Sequence, residues 1–193
     1  DNYTWTPSTD LSDPNIADPF ASPSIITTYT VTGTDLNGCI NTDSITISLH
    51  NLPTATVSSD TIICFGDTAL LIASGGSNYI WSPSDSLSST IINNPLAWPT
   101  LSTTYQVIIS DANGCMDTAQ VTVGVSNLPN VDAGSDVDIC LGDTIQLNAT
   151  GASSYSWLPI DSLSNASIDN PLAWPSDTTE YIVTGLNALG CLN

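Results

Sequence analysis

The chain has 193 residues, 19 of them Asp or Glu and none Lys or Arg, for a formal charge of −19. Such a surface repels nucleic acid and anionic membranes, and it forms no Asp–Arg or Glu–Lys pair, so apolar burial, backbone hydrogen bonds and covalent links must hold the fold. The hydrophobic content of 41% lies in short runs, none approaching the roughly 18 consecutive apolar residues of a membrane helix.

In chain order, residues 1–50 hold Trp5, Tyr29 and Cys39, the last two within the run TTYTVTGTDLNGC at 27–39. Residues 51–126 open on NLP, reach Cys64 just before the turn GDT, and place Trp81 on a central strand. NPLAWP at 94–99, Tyr105 at the start of the penultimate strand, and Cys115 after an NG turn follow. Residues 127–193 write the same frame again: NLP, Cys140, Trp157, NPLAWP at 170–175, Tyr181 and Cys191. Set against each other at an offset of 76 (127 − 51), residues 51–117 and 127–193 share 34 of 67 positions. The chain is therefore read as a partial module (1–50, the C-terminal part), a complete module (51–126) and a third (127–193) lacking its last strand, with both ends cut from a longer array.

Within each module the pattern has period two. In TIQLNA (144–149), Ile145, Leu147 and Ala149 share a side, and YIVTG (181–185) and VTVGV (121–125) behave likewise. Clusters of Ser, Thr, Asn, Asp, Gly and Pro punctuate these runs and no segment has helical spacing with caps, so the expectation is all-β, a small sandwich of about seven strands per module. The Trp on a central strand and the Tyr two strands later fit an immunoglobulin-like sandwich. Pro at both ends of NPLAWP removes two backbone donors and confines the segment to an edge or a crossover. Trp98 and Trp174 are read first as packing residues, capping a core or lying between modules, and second as sugar-stacking platforms.

Catalysis is not expected. A hydrolase triad needs a basic partner, yet the chain has one histidine, His50, and no lysine; its aspartates recur in turns of every copy, where catalytic pairs seldom sit. Zinc would want Cys-x-x-Cys pairs or clustered histidines. Calcium is the one ion the residues suggest, through Asp132, Asp136 and Asp138 in DAGSDVD and through Asp111, Asn113 and Asp117 in SDANGCMD. Otherwise no cofactor is expected.

The cysteines at repeat-locked positions point to disulfides and an oxidising, extracellular location. The first cysteine of a module closes its opening strand, whereas the second follows the last hairpin turn. In a sandwich these lie at opposite ends, separated by about 20 Å for strands of about seven residues. A disulfide spans Cα separations of only about 4.4–6.8 Å. Stacked modules would bring the first-turn end of one against the final-hairpin end of the next, which favours Cys64 with Cys191. Cys39, Cys115 and Cys140 would then pair outside these residues. The pairs Cys64–Cys115 and Cys140–Cys191 remain the alternative.

The frame IC-x-GDT…Y-x-W-x-P…DSLS…NP-x-A-x-P…TTY-x-V…D-x-NGC resembles the tandem PKD-like, immunoglobulin-like repeats of giant type IX-secreted surface proteins of Bacteroidota, of the gliding-motility adhesin type. It is carried by Ile63–Cys64, Gly66–Thr68, Tyr79, Trp81, Pro83, Asp85–Ser88, Asn94–Pro99, Thr103–Val107 and Asp111–Cys115. The third module repeats most of it, with NALGC in place of DANGC. The resemblance implies a rod of modules in a cell-surface fibre, stalk or adhesin. Its partners would be neighbouring modules and other fibre subunits, with glycans as a further class, and without nucleic acid or membrane insertion. It also implies O-glycosylation at Asp-(Ser/Thr)-apolar motifs, which nominates Ser44, Thr61, Thr68, Ser86, Thr118, Thr144, Ser162 and Thr178.

Overall fold

The computed structural model describes residues 2–193. Among these the chain forms β-strands and no helix: β1 (Asn2–Thr6), β2 (Thr27–Thr34), β3 (Ile40–Ile47), β4 (Thr56–Val57), β5 (Thr61–Cys64), β6 (Ala69–Leu70), β7 (Ala73–Ser74), β8 (Asn78–Ser82), β9 (Leu96–Ala97), β10 (Thr103–Ser110), β11 (Met116–Ser126), β12 (Ile145–Gln146), β13 (Ser154–Leu158), β14 (Leu172–Ala173) and β15 (Ile182–Leu186). The fold is all-β. The chain divides into two compact units, Asp1–Leu52 with Asn113–Cys115, and Pro53–Ala112 with Met116–Asn193.

The first unit carries one antiparallel sheet in the order β1-β2-β3. Tyr29 of β2 is its buried aromatic, at 1% exposure, and gives its hydroxyl proton to Thr9 O at 3.1 Å.

In the second unit, the stretch 51–126 builds a sheet in the order β5-β11-β10-β8, with β5 parallel to β11 and the other pairs antiparallel. The side chains of β10 alternate: Tyr105, Val107 and Ile109 are fully buried, while Thr104 and Ile108, on the other parity, face out. From β11, Val121 and Val123 enter the same core; Leu71, Ala73 and Ala97 enter it from the short pairs β4–β7 and β6–β9 and the residues beside them. Two layers of strands thus close on one apolar interior, the sandwich arrangement. This stretch holds eight short strands where about seven were expected, because the opposing layer is broken into two-residue pieces.

The stretch 127–193 repeats the local geometry. Leu158–Pro159 is cis like Ser82–Pro83 and Thr6–Pro7, and Ser162 has φ 58° where Ser86 and Asp10 have 59°. The indole N–H of Trp157 donates to Ile168 O at 2.9 Å as that of Trp81 does to Ile92 O at 2.8 Å. Glycine is required at 75 and 151, where φ is 120° and 90° and a Cβ would strike the carbonyl oxygens of Thr54 and Asn130. The difference lies at the end. Only Leu192 and Asn193 stand where β11 begins in the preceding copy: Leu192 bridges Leu186, and Asn193 exchanges backbone bonds with Gly185 at 3.0 and 3.1 Å.

Candidate functional site

The covalent feature of the second unit lies where its two copies meet. Cys64 ends β5, opposite Ser126 at the end of β11. A turn follows it, with Gly66 at φ 95° and Asp67 N donating to Cys64 O at 2.9 Å. At the other end of the sequence, the Asn187 Oδ1 accepts N–H bonds from Leu189 and Cys191 at 2.9 and 3.0 Å, winding 187–191 into a tight turn. That turn holds Cys191 at 2% exposure. A disulfide joins Cys64 to Cys191 across a Cα separation of 5.5 Å, inside the range such bonds tolerate. Because both sulfurs are used, the within-module pairs Cys64–Cys115 and Cys140–Cys191 do not form. Cys39 and Cys140 are exposed thiols.

Polar contacts surround this bond. The Asn187 amide donates to Ser126 Oγ and Asn127 O, both at 2.9 Å, and the Asn193 amide donates to Pro129 O at 2.8 Å. The last turn of one copy therefore grips the linker that follows the other. Sequence reasoning did not single out Asn187 or Asn193. The signal was the change from DANGC to NALGC: a carboxylate at 187 could accept the turn's N–H groups but could not also donate to the linker, whereas an amide does both.

NPLAWP departs from its first reading. Pro95, Ala97 and Pro99 are buried, while Leu96 and Trp98 point outward, Trp98 at 43% exposure; Trp174 repeats this at 45%. Neither indole is a core cap, because the alternation that buries Ala97 and Ala173 at 0% turns the next residue to the other face. The segment does lie between neighbours, with Ala97 paired to Ala69 on one side and bridged to Leu87 on the other. Continued by one residue, both registers set Thr68 and Ser86 beside Trp98, and Trp98 N donates to Ser86 O at 2.9 Å.

Among the described residues no group of three or more His, Cys, Asp or Glu is placed to hold a metal ion. Asp132 Oδ1 accepts from Gly134 N at 2.9 Å, and Asp136 and Asp138 are exposed. Asp117 accepts from Ala55 N and Thr118 N, both at 2.8 Å, and these bonds lower its carboxyl pKa below the usual range. Asp111 and Asn113 stand in the turn between β10 and β11. Of the hydroxyls nominated for glycans, Ser44, Thr61, Thr68, Thr118, Thr144 and Thr178 are exposed, and Ser86 and Ser162 are half-buried.

No protein-family model matches the sequence, and no curated protein matches it. Among solved structures the chain is similar to the extracellular domains 3–5 of Drosophila OTK, with 11% identity and a TM-score of 0.43, covering 100% of this chain and 82% of that one. It is also similar to the insect immune protein hemolin, with 16% identity and a TM-score of 0.39 over 97% of this chain and 64% of that one. A third is a Ca2+-stabilised adhesin that helps an Antarctic bacterium reach out and bind ice, with 13% identity and a TM-score of 0.43 over 100% of this chain and 62% of that one. The chain spans less than two thirds of the hemolin and adhesin chains.

Proposed function

We propose that the chain is a structural repeat segment of a large extracellular surface fibre, stalk or adhesin, in which disulfide-stapled modules act as a stiff spacer. The lineage proposed is the PKD-like repeat of type IX-secreted proteins, with modules at 1–50, 51–126 and 127–193, a 76-residue period and a rod arrangement. The observation that carries the reading is the bond between Cys64, near the start of one copy, and Cys191, near the end of the next. Tension entering at Cys64 leaves at Cys191 through two sulfurs and bypasses the strands between. Closing a loop of 127 residues also removes denatured-state entropy equivalent to about 5 kcal/mol in the chain-entropy treatment. Covalent support suits a chain of net charge −19 with no cationic side chain to pair.

If the pairing recurs at each period, Cys39 and Cys115 bond to earlier modules and Cys140 to a later one, so that staples overlap along the array. Small-angle scattering tests the spacer: the oxidised chain should scatter as a rod, and reduction should broaden its distribution of dimensions. A broad distribution in the oxidised chain contradicts the reading.

A second reading, a glycan- or surface-binding module, is favoured by the exposure of Trp98 and Trp174, since exposed indoles stack on sugar faces. Glycan-array binding that disappears in Trp98→Ala/Trp174→Ala would support it; no binding by the unaltered chain would remove it. O-glycans at the nominated hydroxyls, Thr68, Ser86 and their counterparts Thr144 and Ser162 among them, would cover this same face. An intact mass of native material equal to that of the bare polypeptide excludes them.

A further inference from the structure

One turn occurs three times in the chain on the same backbone and carries different side chains. Asp10, Ser86 and Ser162 stand at one position of the repeat, and Ser22, Trp98 and Trp174 at another. In each copy the second residue's N–H donates to the first residue's carbonyl, at 2.8, 2.9 and 3.0 Å, and the first residue has a left-handed φ of 59°, 59° and 58°. The turn therefore needs neither serine nor indole, because Asp10 and Ser22 build it as well. Asp, Asn and Gly enter the left-handed region more readily than Ser. Serine nevertheless holds this position in the two copies that also carry the indole, and both are missing together from the other.

The polar atoms of this pair are unengaged. The indole N–H groups of Trp5, Trp81 and Trp157 donate to backbone carbonyls at 2.9, 2.8 and 2.9 Å. Among the described residues those of Trp98 and Trp174 make no such bond, nor do the hydroxyls of Ser86 and Ser162, nor those of Thr68 and Thr144 on the other side of each indole. We infer that Trp98 with Ser86 and Thr68, and Trp174 with Ser162 and Thr144, are two equivalent subsites for neutral hexopyranose glycans. The inference rests on the second reading above and names its class of sugar. An indole 43% or 45% exposed offers a face to the C–H side of a pyranose and a free N–H at its rim, and the flanking hydroxyls both donate and accept, as sugar hydroxyls require. No cationic side chain exists in the chain, so a sulfate or uronate finds nothing to pair with and meets the field of a net charge of −19. A cationic sugar would favour a carboxylate at the serine's position, yet the copy that has one, Asp10, lacks the indole.

The test titrates the 193-residue chain with neutral oligosaccharides of cellulose, laminarin, mannan and chitin, and with charged polygalacturonate, carrageenan and chitosan. Binding should fall in the neutral set and should not change with monovalent salt, since no charge pair contributes. Ser86→Gly/Ser162→Gly should weaken it about fivefold, the scale of one neutral hydrogen bond. The thermal midpoint should stay where it was, because glycine takes a left-handed turn without strain. No binding to either set overturns this inference together with the reading beneath it. Binding confined to the charged set overturns the inference alone, as does neutral-sugar affinity that the glycine variant leaves unchanged or lowers only in step with the midpoint. A hexose mass on Ser86 or Ser162 in native material also overturns it, since the hydroxyl would then carry a sugar covalently.

Discussion

Three tyrosines occupy one role in this chain. Tyr29, Tyr105 and Tyr181 donate their hydroxyls to Thr9 O, Asp85 O and Asp161 O at 3.1, 3.3 and 3.4 Å, and burial, then the neighbouring carboxylates, raises each phenol above its ordinary pKa. A folded-state pKa above the unfolded value adds stability that is complete below about pH 10 and is lost as pH rises through the folded value. The melting temperature should therefore fall steeply above pH 10, and Tyr105→Phe should flatten that fall; identical profiles for the two proteins would contradict it. Asp117 has the opposite sign, lowered by the N–H groups of Ala55 and Thr118, so its contribution is present above the carboxylate range and lost as pH falls. Asn187 is tested by charge: Asn187→Asp keeps the acceptor of the turn but loses the donor to Ser126 and Asn127. It should cost about 1–3 kcal/mol in urea unfolding, the range for a group left facing unpaired acceptors. An unchanged midpoint would show that the amide is not needed.

At the scale of elements, parity decides NPLAWP. The small inward residue Ala97 lies against Ala69 in the β6–β9 pair, and Trp98 lies on the outer face. Ala97→Leu should overpack the core and cost about 1–3 kcal/mol, whereas Trp98→Ser should change stability by less than about 0.5 kcal/mol, as exposed positions do; calorimetry on both variants separates them. This is also where sequence reading failed. Pro95, Ala97 and Pro99 on one face and Leu96 and Trp98 on the other are all apolar, so a period of two cannot say which face goes in, and bulk alone pointed to the wrong one. Where the faces differ in polarity, as in Ile145, Leu147 and Ala149 against Thr144, Gln146 and Asn148, the strands and their inward sides were legible. The bond between Cys64 and Cys191 was within reach for a different reason, since strand length sets how far apart the two ends of a sandwich lie.

At the scale of the molecule, charge and covalent topology act against each other. Nineteen acidic residues with no Lys or Arg repel at every distance within a Debye length, so moderate monovalent salt should raise the thermal midpoint by screening. A midpoint that falls with salt would mean that attractive pairs, absent from this composition, had been holding the fold. The staple is the covalent counterweight, and its mechanical consequence can be read directly. A single chain is held at its two ends and pulled until fully extended, first oxidised and then with Cys64 and Cys191 reduced. The oxidised chain should stop short, because the segment between the two cysteines, which stand 127 positions apart, never enters the load path. Reduction should release about 440 Å of further contour, at about 3.5 Å per residue. Equal final lengths with and without reductant would contradict the account.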